Sequence, residues 1–179
     1  LTVKDDNGNI TAYQYDNMNR VIKVTDALSG VTTYTYNNAG DLISSKNALG
    51  DIVSYTYDAY GNKLTETDAN GNKTTYTYDA NNNLLTVKDA LNNITTYTYD
   101  SRNLLISVKN AVNQTVSYTY DALGRKISVT DAKGNTTYMS YDGVGNVLTV
   151  TDAKGNIISS TEYNELNLPE TVTAAGGNI

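Results

Sequence analysis

The sequence predicts an all-β protein of antiparallel β-hairpin repeats, about eight of them, forming a curved or spiral sheet. Three observations predict it: a Tyr-x-Tyr motif with a 21-residue period, two turn signals per repeat, and alternation of apolar and polar residues between the turns. Counting the second Tyr of each motif gives Tyr15, Tyr36, Tyr57, Tyr78, Tyr99, Tyr120 and Tyr141, at equal intervals of 21, with Tyr163 following after 22. A fixed period of this length marks a repeat architecture, in which each unit is too small to bury a face alone. A representative unit is YTYDANNNLLTVKDALNNITT, residues 76–96.

The first turn of each unit follows Tyr-Asp. Four positions past the Tyr stand Asn19, Gly40, Gly61, Asn82, Asn103, Gly124, Gly145 and Asn167. Gly and Asn tolerate the left-handed backbone at least steric cost, so a positive φ is the physical cause of that restriction. The second turn reads D-A-x-G-N, as in Asp131–Asn135 and Asp152–Asn156. Asn92 and Asn113 stand for its Gly, and Ser29 departs from the pattern beside Gly30. Both turns read as hairpin loops of about three or four residues ending in a left-handed or bulged residue.

Between turns the sequence alternates with period two, the mark of a strand with unlike faces. In the first strand of each unit one face carries Ile22, Ile43, Leu64, Leu85, Ile106, Ile127 and Leu148. Two residues on come Val24, Val87, Val108, Val129 and Val150, with Ser45 and Glu66 as exceptions. In the second strand the Tyr pair shares a face and the Thr residues point the other way. One side of the sheet is therefore aliphatic and aromatic, and the other is mostly Thr, Ser and Lys. No segment has helical spacing, and the single Pro, Pro169, lies near the C-terminus.

Two strands per unit give about sixteen or seventeen strands, spanning on the order of 80 Å at about 4.8 Å each. Open twisted sheets of that width curl, so the sheet is expected to bend. Its apolar face then meets another turn of the same sheet, a neighbouring molecule or further sequence. The rival architecture is a parallel β-solenoid with one coil per unit. It would stack the recurring Asp residues about 4.8 Å apart, where like charges are poorly screened, whereas a meander separates them by about 9–10 Å. Tight chain-reversing turns also favour the meander.

Composition narrows the function classes. Among 179 residues there are sixteen Tyr and no Phe, Trp, His or Cys. An imidazole base, a thiolate nucleophile, a zinc cage of the usual kind and a disulfide framework are thereby excluded, and no cofactor is expected. Thirteen Lys and Arg against nineteen Asp and Glu give a net charge of −6, which lacks the basic footprint of a nucleic-acid binder. No run is long enough for a membrane-spanning helix. Starting at Leu1 without Met or a signal-peptide pattern, the chain reads as a fragment of a longer one.

The motif Y-T-Y-D-x-x-G/N-N/R-x-L/I at 21-residue spacing resembles the RHS or YD repeat family. That family occurs in bacterial polymorphic toxins, wall-associated proteins, the B and C components of insecticidal toxin complexes, and animal teneurins. The likeness covers essentially all of residues 1–179, read as a single repeat array. It implies a β-hairpin ribbon spiralling into a hollow shell, in several members around a C-terminal toxin, and an extracellular or bacterial cell-surface location. The partners it implies are neighbouring repeats of the same longer chain and an enclosed toxin cargo. Two departures stand out: the Arg often found after the turn Gly occurs only as Arg20 and Arg125, and the self-cleaving terminal core with its Asp-Pro-rich motif is absent.

Three groups of residues are candidates for function. The tyrosines Tyr13, Tyr15, Tyr34, Tyr36, Tyr55, Tyr57, Tyr76, Tyr78, Tyr97, Tyr99, Tyr118, Tyr120 and Tyr141 form a periodic stripe, read as a packing ladder across strands. A sugar-stacking platform is the functional alternative, with a glycan as partner. Tyr60 sits in a turn and Tyr138 lies beside Met139, which takes the grid position. The turn Asp residues could form a calcium ladder. Asn37, Asn47, Asn110 and Asn164 replace some of them, however, and an amide keeps a turn hydrogen bond while losing the charge a cation wants, which favours turn capping. Identical copies in every repeat argue against paired-Asp catalysis, because an active site needs one copy. The ends form the third group: Leu1-Thr2-Val3 begins within a strand and offers an open edge for self-association, while Pro169 and Glu170 suit an edge strand.

Overall fold

The computed structural model describes residues 1–174 and 177–178. Among these the protein is all β, with eighteen strands and no helix. The count exceeds the expectation because short strands form at both ends of the chain. Two compact units are present, Leu1–Ile94 and Thr95–Ile179.

In the first unit β1 (Thr2–Lys4), β2 (Ile10–Tyr15), β3 (Val21–Thr25), β4 (Val31–Tyr36), β5 (Leu42–Lys46), β6 (Ile52–Tyr57), β7 (Lys63–Thr67), β8 (Lys73–Tyr78) and β9 (Leu84–Lys88) follow one another. Each pairs antiparallel with the next. The second unit repeats the plan with β10 (Ile94–Tyr99), β11 (Leu105–Lys109), β12 (Thr115–Tyr120), β13 (Lys126–Thr130), β14 (Thr136–Tyr141), β15 (Val147–Thr151), β16 (Ile157–Tyr163), β17 (Pro169–Ala174) and β18 (Gly177–Asn178). Antiparallel pairing throughout decides for the meander and against the solenoid. Pro169 opens β17, where its missing N–H costs least, opposite Tyr163. The residue that lengthens the last Tyr interval is absorbed where the register shifts between Val150 and Thr151.

Register sorts the side chains onto two faces, because residues directly opposite in antiparallel strands share a face. Tyr13 stands opposite Val24, Tyr76 opposite Val87 and Tyr118 opposite Val129, which makes one face aromatic and aliphatic. The exceptions Ser45 and Glu66 oppose Tyr34 and Tyr55 on that same face. On the other face hydroxyls pair across strands, at 2.7 Å for Thr56–Thr65, 2.6 Å for Thr77–Thr86 and 2.6 Å for Thr119–Ser128.

Two lysines correct the expected split. Every Tyr-Asp hairpin carries a bulge beside its second Tyr, which breaks the period of two for one residue. Lys63 and Lys126 are thereby set opposite Tyr57 and Tyr120. Their ammonium groups lie over aromatic rings, Lys63 at 4.7 Å from the Tyr76 centroid and Lys126 at 4.2 Å from that of Tyr118, instead of on the Thr face.

Neither face is covered within a unit. Strands touch only their sequence neighbours, and among the described residues no hydrophobic side chain is buried. Among the described residues Ser128 is the one that is buried, at 6% exposure. A single layer of hairpins has no second layer to bury its apolar side against.

Candidate functional site: the turn edges and the tyrosine rows

Each turn is built by one side chain. In the Tyr-Asp turn at Asp16 the backbone N–H of Asp16 donates to Arg20 O and that of Asn19 to Asp16 O, both at 3.0 Å. One carboxylate oxygen of Asp16 accepts the N–H groups of Met18 at 2.9 Å and Arg20 at 3.0 Å. The other binds the side chain four residues on, here Arg20 Nε at 2.7 Å. In most other turns that partner is an Asn amide, as in Asn62 Nδ2 to Asp58 Oδ2 at 2.9 Å and Asn135 Nδ2 to Asp131 Oδ2 at 2.8 Å. At Asn37, Asn47 and Asn110, where Asn replaces the Asp, the side-chain to side-chain bond runs the other way. Asn47 Oδ1 accepts from Leu49 and Asp51 N–H, and its amide donates to the Asp51 carboxylate at 2.8 Å.

These bonds favour the ionised form. The amide of Asn62 beside Asp58, together with backbone N–H groups, holds its carboxyl below the usual carboxylate range, and Asn72, Asn83 and Asn135 do the same for Asp68, Asp79 and Asp131. A carboxylate whose oxygens already take three or four protein donors has little capacity left for a cation. Among the described residues no group of three or more acidic side chains is placed to hold a metal.

The left-handed positions fall where sequence places them. Asn19, Asn82, Asn103 and Asn167 take φ of 62°, 64°, 62° and 59°, and Gly40, Gly61, Gly124 and Gly145 take 103°, 85°, 80° and 105°. In the irregular second turn it is Ser29, at φ 66°, that adopts this conformation. Gly30 takes the following position, where its missing side chain makes room for Asp26: a Cβ there would lie 2.5 Å from the carboxylate.

The hydroxyl of the second Tyr in the motif has a structural use. Tyr36, Tyr57, Tyr78, Tyr120 and Tyr141 each donate their hydroxyl to the carbonyl of the residue fifteen earlier, Val21, Leu42, Lys63, Leu105 and Lys126, at 2.6–3.0 Å. Paired residues in β3 and β4 end at Lys23–Thr33, so Val21 lies beyond the ladder and Tyr36 closes that open end of the hairpin. Tyr163, out of phase by one residue, makes no such bond to Val147. Tyr60 is 84% exposed and Tyr138 is 50% exposed on the hydroxyl face, opposite Ser128.

Sequence reasoning missed the ties between successive Tyr-Asp turns. Arg20 Nη1 donates to Asn37 O at 3.4 Å and Arg125 Nη1 to Asp142 O at 2.8 Å. Their guanidinium groups stack 4.6 Å and 4.8 Å from the ring centroids of Tyr36 and Tyr141. Arg102, two residues before the equivalent position, reaches Asp121 O at 2.8 Å. Asn62 and Asn146 make the tie with their amides, to Asn82 and Asn167. The available signal was an Arg or Asn directly after the left-handed residue, one repeat before another Tyr-Asp turn.

The RHS Repeat family profile matches this chain seven times, at residues 1–31, 19–52, 36–73, 57–94, 78–113, 99–137 and 141–179. The chain belongs to the RHS-repeat family. No curated protein is similar enough to count as a relative of this RHS-repeat chain. Among solved structures it is similar to the crystal structure of TcdB2-TccC3-Cdc42, with TM-score 0.72 and 19% identity over 96% of this chain. A crystal structure of TcdB2-TccC3 gives 0.70 and 19% over 94%. The Tc holotoxin pore of Photorhabdus luminescens, carrying a substitution in TccC3, gives 0.69 and 18% over 96%. At such identities the likeness is one of fold. In each case the RHS-repeat chain spans 12% of the length of the chain it matches. No helix among the described residues is long and apolar enough to cross a membrane.

Proposed function

We propose that this chain is a stretch of non-catalytic wall, part of a β-sheet shell in a large secreted or surface bacterial protein that encloses or displays a C-terminal toxin or effector. The observation that carries this reading is the sameness of the local chemistry from repeat to repeat. One Asx-capped turn, one Tyr-to-carbonyl bond and one turn-to-turn tie recur along the array. Catalysis concentrates unusual groups in one place, whereas a scaffold copies ordinary ones. In this reading residues 1–179 act as a single array, the turn residues and tyrosines are structural, and the partners are adjoining repeats and the cargo. The fold shared with toxin-complex chains about eight times longer supports it.

Protease protection of the C-terminal domain in the parent protein tests the proposal. The intact array should shield that domain, and an array carrying Gly124→Val with Gly145→Val should expose it. Equal cleavage in both would sink the wall reading.

A second reading, a carbohydrate-binding adhesion module, has one observation in its favour. Exposed Tyr60 borders a groove of about 380 Å³ lined also by Tyr76, Tyr78, Asp58, Asp79 and Asn82. Selective signal on a glycan array, abolished by Tyr60→Ala, would establish it.

A further inference from the structure

Charge is segregated by face in the first unit. Strands β1–β9 contain six lysines and a single carboxylate, Glu66. Glu66 lies on the aromatic face and is neutralised there by Lys63, 2.6 Å away. The other five, Lys4, Lys23, Lys46, Lys73 and Lys88, all fall on the hydroxyl face. Register places Lys4 opposite Ile10, Lys23 and Lys46 on either side of Thr33, Lys73 opposite Thr67, and Lys88 opposite Thr75. None of the five makes an ion pair among the described residues, and all but the half-buried Lys23 are exposed. A chain of net charge −6 thus presents one face with five unpaired cations among Thr and Ser hydroxyls and no carboxylate in its strands. That face also holds a depression of about 410 Å³, lined by Val31, Thr33, Lys46 and the turn 47–50. Leu49, 88% exposed, stands at its rim.

We infer that the Thr/Ser/Lys face of the first unit, centred on the depression between Thr33 and Lys46, is a docking surface for an acidic polypeptide segment. Lysines supply charge complementarity, hydroxyls supply neutral donors and acceptors for the peptide backbone, and Val31 with Leu49 supplies apolar contact for an interspersed aliphatic side chain. Nucleic acid fits poorly. Lys23 and Lys46 lie two strands apart, about 9–10 Å, whereas duplex DNA carries a charge every ~1.7 Å. The inference deepens the wall reading by naming the chemistry of what lies against one face of the wall.

The test is fluorescence anisotropy of the 179-residue protein with a labelled Glu-rich peptide containing Leu, alongside a single-stranded oligonucleotide and heparin as competing probes. Saturable peptide binding is expected, weakening about tenfold or more between roughly 50 and 300 mM salt. The double variant Lys23→Gln with Lys46→Gln should weaken it about fivefold or more, while Lys133→Gln with Lys154→Gln, in turns of the second unit, should change it less than about twofold. Unfolding curves of both variants show that loss of binding is not loss of fold. Absence of saturable peptide binding, equal loss in both variants, or tighter binding of oligonucleotide or heparin than of peptide would each overturn the inference. Any of these results with an intact unfolding transition leaves the wall reading standing, since that reading depends on protease protection.

Discussion

At the residue scale the turns carry the heaviest constraint. Gly145 sits at φ 105° with nothing within 4 Å of where a Cβ would be, so a substitution there meets backbone strain and no clash. Gly145→Val should cost about 1–3 kcal/mol. Thr98→Val, on the exposed hydroxyl face, should stay within about 0.5 kcal/mol. Urea unfolding of the two variants checks the difference, and equal stability would contradict the turn assignment. A second expectation concerns acid. The folded pKa values of Asp58, Asp68, Asp79 and Asp131 are lowered, first by the side-chain amide of the Asn four residues on. Their stabilisation is therefore fully present above the unfolded carboxylate value and drains as pH falls through the folded ones. The urea midpoint should fall steadily below about pH 4. Replacing Asp58 and Asp131 by Asn, as nature does at Asn110, should flatten that dependence; an unchanged slope would show that the turns do not set it.

At the element scale the hairpin is held at its open end by a tyrosine hydroxyl. Tyr141→Phe deletes the 2.6 Å bond to Lys126 O while keeping the ring. It should cost about 0.5–1.5 kcal/mol, whereas Tyr163→Phe, whose hydroxyl has no such partner, should be nearly neutral. A urea series on both variants decides the point. Arg125 connects elements in another way, binding the Asp121 carboxylate, the Asp142 carbonyl and the Tyr141 ring at once. Arg125→Lys should lower the urea midpoint nearly as much as Arg125→Ala, because a point charge cannot make the planar two-sided contact. Full recovery with Lys would reduce the tie to simple charge attraction.

At the scale of the whole molecule, a chain of nearest-neighbour strands gains stability by addition of units. Excising residues 101–121, one full period, rejoins Asp100 to Ala122 in phase. It should keep the β-type circular dichroism spectrum with a lower melting temperature. Excising residues 101–111, which is not a whole period, removes β11 with part of each flanking turn, makes neighbours of the two Tyr-bearing strands β10 and β12, and should abolish cooperative unfolding. Similar spectra and melting for both deletions would contradict the register. The exposed aliphatic residues Leu28, Leu49 and Leu91 at second-turn tips belong to this scale as well, since nothing within a single layer covers them.

The period, the two turns, the left-handed positions and the alternation of faces were legible in the sequence because each is local. A positive φ restricts one residue to Gly or Asn, and a strand repeats every two residues whatever lies around it. Local logic failed where a bulge intervened. Lys63 and Lys126 sit on the aromatic face because one extra residue beside Tyr57 and Tyr120 breaks the alternation, and no single residue type announces a bulge. The partner of each Tyr hydroxyl and the reach of Arg20 and Arg125 to the next turn were also decided by tertiary structure. Each depends on which residues of neighbouring strands stand opposite one another, and pairing between strands, unlike the turns that connect them, is fixed by contacts the linear order does not spell out.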